Sequence, residues 1–188
     1  ATIDVLEEAL MVANELGYPA GLVTAYCLRA RAYEIVNDTS MARGDINRAR
    51  DWANRVAPGH SHERAQADVD YAVARLSMSF EPASAASALW RVAGAYRALR
   101  VDALVVPVLF DAATAARNAG DLQHARQWLM DAVSTTTNLR SGFPTAGARA
   151  AFFESVENVF DAMIDLEIDA GNSTTAFRYL EMERAAPW

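Results

Sequence analysis

The sequence predicts an all-α fold, an array of about seven to eight stacked helices paired antiparallel, on three observations. Strand signals are nearly absent: β-branched residues rarely cluster, apolar/polar alternation is not sustained, and no Asn-Gly or Asp-Gly hairpin dipeptide occurs. Apolar residues instead recur at helical spacing along the whole chain. A pattern at the turns then repeats at intervals that mark a helical array.

The elements follow in order. Leu6, Leu10, Ala13 and Leu16 lay an apolar stripe on a helix over 3–16, which Gly17, Tyr18 and Pro19 stop. Further helices are expected near 19–37, 45–57, 61–79, 83–99, 102–118, 121–139, 146–170 and 173–184. Gly44-Asp45, Gly120-Asp121 and Gly171-Asn172 each join a glycine that can close one helix to an Asp or Asn suited to capping the next. Pro58-Gly59 stops a helix and Ser61 can cap its successor, while Pro82 suits a first turn, where its missing N–H has no partner to lose. Pro107 lies inside the apolar pattern from Val101 to Ala116, so a late start or a bend is expected there.

Aligning the turns exposes the repeat. The copies that begin at Gly44, Gly120 and Gly171 each place an alanine five residues on (Ala49, Ala125, Ala176) and an aromatic eight residues on (Trp52, Trp128, Tyr179). A degenerate copy begins at Glu81, with Ala86, Leu89 and Trp90. The starts at 44, 81, 120 and 171 are 37, 39 and 51 residues apart, the last step lengthened by the linker Ser141-Gly142-Phe143-Pro144 and by longer helices. A helix pair cannot bury its apolar face alone; a small alanine lets neighbours approach and a ring fills the space beside it. The helix over 146–170 carries two stripes: Phe152, Val156, Val159, Met163 and Leu166 on one side, Phe153, Phe160, Ile164 and Ile168 on the other. It should therefore have neighbours on two sides.

Composition bounds the function. An apolar content of 52% over 188 residues is that of a folded domain, taken here as one domain over 1–188. A net charge of -7 with pI near 4.9, and arginines spread singly, argue against nucleic acid. The longest apolar run, Ala103 to Phe110, is too short for a membrane span, and the first residues carry acids where a signal peptide carries bases. The single cysteine, Cys27, excludes an internal disulfide and fits a reducing compartment, so a cytoplasmic location is expected.

The spacing of turn glycine, alanine and aromatic resembles the second helix of the tetratricopeptide repeat over nearly the whole chain, most closely from Gly120 to Ala132. The resemblance implies a right-handed superhelix whose first helices line a concave groove. Carrying the frame over places Glu34, Asp68, Tyr71, Arg75, Phe110, Thr114, Arg117, Asn158, Asp161 and Asp165 on that groove as partner-binding residues. The stretch from Glu8 through Glu15-Leu16-Gly17 to Leu22 is similar to repeat arrays of large bacterial ATPase-type transcription activators. The stretch from Arg149 to Arg184 is similar to the repeats that precede caspase-like CHAT peptidase domains. Both imply a regulatory or sensor arm of a longer multidomain protein, which binds a protein, a peptide or another domain of its own chain.

Candidate chemistry is sparse. His60-Ser61-His62-Glu63 holds metal-ligand residue types, but at a helix start these side chains are expected to cap the helix and face water, as is His124 at a turn. Cys27 lies between Tyr26 and Leu28 on a helix and is expected to pack as a small hydrophobe. No phosphate loop or nucleophile elbow is present, so no catalytic residue, metal or cofactor is assigned. Asp161, Asp165 and Asp169 recur down one helix face and suit acid–base or metal work, a solvated face, or a groove that meets a basic partner. The alternative function is small-molecule sensing reported by Trp52, Trp90 and Trp128, although core filling is the expectation for these rings.

Overall fold

A computed structural model describes residues 2–139 and 146–184, with side chains placed throughout except over 146–156. The described residues form nine helices, one for each of the nine spans expected above although more than the count of seven to eight, and no strand. They are α1 (Thr2–Glu15), α2 (Pro19–Ile35), α3 (Thr39–Ala53), α4 (His60–Ser77), α5 (Pro82–Ala98), α6 (Asp102–Asn118), α7 (Leu122–Leu139), α8 (Ala146–Asp169) and α9 (Ser173–Arg184). The 141–144 linker, and Phe152, Phe153 and Val156 of the α8 stripes, fall outside what is described.

Five helices close in the same way. A residue with positive φ follows the helix (Gly17, Asn37, Arg100, Gly120 or Gly171), and the next amide donates to a carbonyl five residues back. The bonds run from Tyr18 to Ala13, Asp38 to Tyr33, Val101 to Tyr96, Asp121 to Ala116 and Asn172 to Glu167, all within 2.8–3.0 Å. Asn37 and Arg100 do this without glycine's freedom, and no dipeptide signal marks them.

Helix α3 differs from its expected span of 45–57 at both ends, and it stops at Ala53, ahead of Pro58-Gly59. Gly44-Asp45 is no turn: α3 starts at Thr39, Asp38 caps it by accepting the Met41 amide at 3.0 Å, and Gly44 lies mid-helix. Asp45 is fully buried and is held by Arg29 of α2, with Nε at 2.7 Å and Nη2 at 2.8 Å. Its residue type is set by that ion pair, not by a cap. Asp121 does cap, accepting the His124 amide at 3.1 Å, whereas the Asn172 side chain donates to Glu167 instead. Nor does Ser61 cap α4, since the N-cap is Gly59. Through Pro107 α6 runs unbroken, with neither a late start nor a break; the carbonyl that loses its donor belongs to Ala103, on the exposed side.

Consecutive helices pack as neighbours, and the pairs α2/α3, α4/α5, α6/α7 and α8/α9 follow the repeat frame. The repeat alanines Ala49, Ala86, Ala125 and Ala176 are all buried, which lets the helix backbones approach. Beside them Leu89, Trp128 and Tyr179 are buried and Trp52 partly so. Val159, Phe160, Met163 and Leu166 of α8 are buried, while Ile168 at the end of its second stripe is 58% exposed. On α1, Leu10 and Ala13 are buried, while Leu16, just past its end, is exposed.

The first helices of the pairs also lie side by side. α2 packs on α4 and α6 on α8, and Tyr71 and Arg75 of α4 bond to Asp111 of α6. These four helices form one wall. From α4 to α9 a single large apolar core backs it, whereas α1 to α4 share three smaller clusters rich in alanine.

Candidate functional site

The wall carries all ten residues that the repeat frame assigns to a groove, and they gather around two neighbouring hollows. Glu34 of α2 and Asp68, Tyr71 and Arg75 of α4 line the first, of about 140 Å³, with Thr24, Cys27, Leu28, Tyr96, Leu104 and Pro107. Phe110, Thr114 and Arg117 of α6 and Asn158, Asp161 and Asp165 of α8 line the second, of about 370 Å³, with Ala125 and Leu129 of α7 behind them. Both hollows open on α6.

Ion pairs surround the first hollow. Asp68, only 8% exposed, accepts the Tyr96 hydroxyl at 2.7 Å and Arg64 Nε at 2.7 Å. Asp111, equally buried, accepts the Tyr71 hydroxyl at 2.6 Å and Arg75 Nη1 at 2.8 Å, while Arg75 Nε reaches Glu34 at 3.3 Å. Charges this deep persist only when paired. Burial, then the carboxylates beside them, push the Tyr71 and Tyr96 hydroxyls up, so both stay neutral donors. Burial also raises Glu34, against the pull of Arg75. Around Arg75, burial opposes the charge, but Asp111 overcomes it and the guanidinium is held more firmly protonated.

This network changes the character of the predicted anchors. The frame treats Tyr71 and Arg75 as exposed groups waiting for a partner, whereas both are largely inside and spend their polar atoms on Asp111 and Glu34. What the first hollow offers is shape and apolar surface. Sequence reasoning missed Asp111, Tyr96 and Arg64 here. Asp111 had a signal, since an acid inside the apolar stretch from Val105 to Ala116 must find a buried partner.

The second hollow is open and acidic. Asp161 and Asp165 are exposed and form no ion pair among the described residues. Asp169, one turn on, pairs with Arg117 at 2.6 Å, an exposed pair worth at most about 1 kcal/mol. Glu183 of α9 is raised first by partial burial and then by the nearby carboxylates Asp161 and Glu157. The Thr114 hydroxyl donates to the Phe110 carbonyl at 2.9 Å, and both residues line the hollow.

Other candidates lie off the wall or inside it. His60 Nε2 sits 3.3 Å from the Leu99 carbonyl, and among the described residues no three His, Cys, Asp or Glu are grouped to hold a metal. No described helix is long and apolar enough to cross a membrane. Cys27 packs beside Val23 and Ala49, and burial, then Asp68 and Asp45, push its thiol up to about 12. Trp90 departs from the expected core position: it is 38% exposed and stacks on buried Trp128 at 5.4 Å, while Leu89 fills the space in the core. His124 accompanies that stack, its ring 5.3 Å from Trp128 and its Nδ1 2.6 Å from Asp121.

Comparison of the chain with protein-family models and with curated proteins gives no match.

Proposed function

We propose that this chain is a protein-interaction scaffold that holds a peptide or helix of a partner, or of another domain of its own parent protein, along the wall of α2, α4, α6 and α8. It acts as a regulatory or sensor arm and not as an enzyme. The observation that carries the reading is the pair of neighbouring hollows on that wall, the second edged by Asp161 and Asp165, which no cation of the described chain neutralises. A groove needs apolar recesses to supply affinity and unspent charge to steer and orient the incoming segment. The tetratricopeptide resemblance supports the same use of the same wall, and the exposed carboxylates favour a basic segment.

The second reading, small-molecule sensing, is favoured by the size of the first hollow, about 140 Å³. The two readings separate in solution. An array of synthetic peptides probed with the labelled chain should return basic binders, and the double reversal Asp161→Lys with Asp165→Lys should weaken them at least tenfold while the helical circular dichroism stays unchanged. Unchanged affinity would remove the acidic end from the binding surface.

A further inference from the structure

The geometry points to a two-point recognition rule. The hollow among α2, α4 and α6 is an anchor pocket for one apolar side chain, of leucine to phenylalanine size, on the same segment whose basic residue meets Asp161 and Asp165. This rests on the scaffold reading and states what the segment must contain.

Size is the first support. A cavity of about 150 Å³ lined by apolar side chains holds a benzene ring, and this hollow, open to solvent on one side, has a volume of about 140 Å³. Chemistry is the second. Leu28, Leu104, Pro107, Ala72 and the Tyr71 and Tyr96 rings supply apolar surface, while the deep polar groups of the lining already bond to one another. An apolar group entering costs those bonds nothing. A strongly polar one would find the deep partners engaged and would have to be desolvated there without return; of the charged lining only Arg31, exposed at the rim, is uncommitted among the described residues.

Helix α6 sets the spacing, because it borders both hollows. Leu104 and Pro107 face the first; Phe110, Ala113, Thr114 and Arg117 face the second. At ~1.5 Å per residue, the midpoints of these two groups lie ~12 Å apart along the helix. Crossing from the α4 side of α6 to its α8 side adds about one interhelical spacing, ~10 Å. The straight path is then ~16 Å, and an extended segment advancing ~3.3 Å per residue covers it in about five residues. The segment is expected to read as one large apolar residue and one or two arginines or lysines about five positions away.

The test uses an array of synthetic peptides on a Gly/Ser background, each with one Phe or Leu and an Arg pair at separations from one to ten residues, with affinities then measured by fluorescence polarisation. The best binders should fall near a five-residue separation, and replacing their Phe or Leu by Ser should weaken them at least tenfold. Two variants at the exposed rim probe the pocket itself: Leu28→Lys and Thr24→Trp, the latter to plug the mouth. Each should abolish the preference for Phe or Leu while the preference for Arg remains. Binding that ignores the apolar residue, its spacing or both rim variants overturns the anchor pocket and leaves the scaffold reading in place. An array with no binder overturns both, and a rise in melting temperature with phenol that Thr24→Trp removes would then assign the hollow to small molecules.

Discussion

Arg75 holds three helices of the wall together, and replacing it with methionine measures how much the wall depends on that link. Its Nη1 reaches Asp111 of α6 at 2.8 Å and its Nε reaches Glu34 of α2 at 3.3 Å; the side chains of the three residues are 19%, 11% and 15% exposed. Methionine keeps the apolar stem but strands two carboxylates, of which Asp111 retains the Tyr71 hydroxyl. Removing one partner of a buried pair costs about 3–5 kcal/mol, and the retained hydrogen bond places Arg75→Met near the lower end, at about 3 kcal/mol. With a urea slope of about 2 kcal/mol per molar, the unfolding midpoint should fall by about 1.5 M at pH 7.

The pH dependence adds an independent check. Glu34 is raised above its ordinary 4.5 because burial outweighs Arg75. A carboxyl raised in the folded state contributes stability that is fully present below the ordinary value and is lost as pH rises through the raised one. Taking away Arg75 removes a lowering influence and raises Glu34 further, so the deficit of the variant should be full near pH 7 and should narrow as pH falls toward 4.5. A loss below about 1 kcal/mol at pH 7, or a deficit that stays constant with pH, would refute the reasoning.

The remaining expectations are local. Gly44 lies mid-helix with open space where a Cβ would go, so Gly44→Ala should stabilise by about 0.5–1 kcal/mol. Gly120 sits at φ +81°, so Gly120→Ala should destabilise by about 1–2 kcal/mol. Calorimetry reads both, and equal signs would contradict the start of α3 at Thr39. The Cys27 thiol, raised from 9.0 to about 12, should hold about a thousandfold less thiolate at pH 8 than an ordinary cysteine. Its reaction with a disulfide reagent should be correspondingly slow in the native chain and fast in urea, and rapid native labelling would contradict the packing of α2 against α3.

The helices were legible because their period and most of their punctuation are local. Gly17, Gly120 and Gly171 end their helices as the sequence suggests, and α6 spans the residues expected of it. Gly44-Asp45 misled because a Gly-Asp pair carries the same local signal whether it turns the chain or not. What decides it is Arg29, sixteen residues back and on another helix. The actual turn rests on Asn37 at positive φ and the Asp38 cap, a weaker pattern than the one that competed with it.

The wall shows the same limit. A repeat frame is enough to assign residues to a face, because a helix carries its orientation along its length. Burial on that face depends on what arrives from other helices. Tyr71 meets Asp111 forty residues away, and Arg75 meets it thirty-six away, so two residues that look like free anchors prove to be largely committed. On α8 no such partner arrives for Asp161 and Asp165, which therefore remain exposed.

The most direct measurement is an amide chemical-shift titration of the labelled chain with the tightest peptide from the array. Shifts should gather on Leu28, Leu104, Phe110, Thr114, Asn158, Asp161 and Asp165, along the wall of α2, α4, α6 and α8. Shifts gathered instead around Trp90, His124 and Trp128, on α5 and α7, would place the partner off this wall and contradict the account.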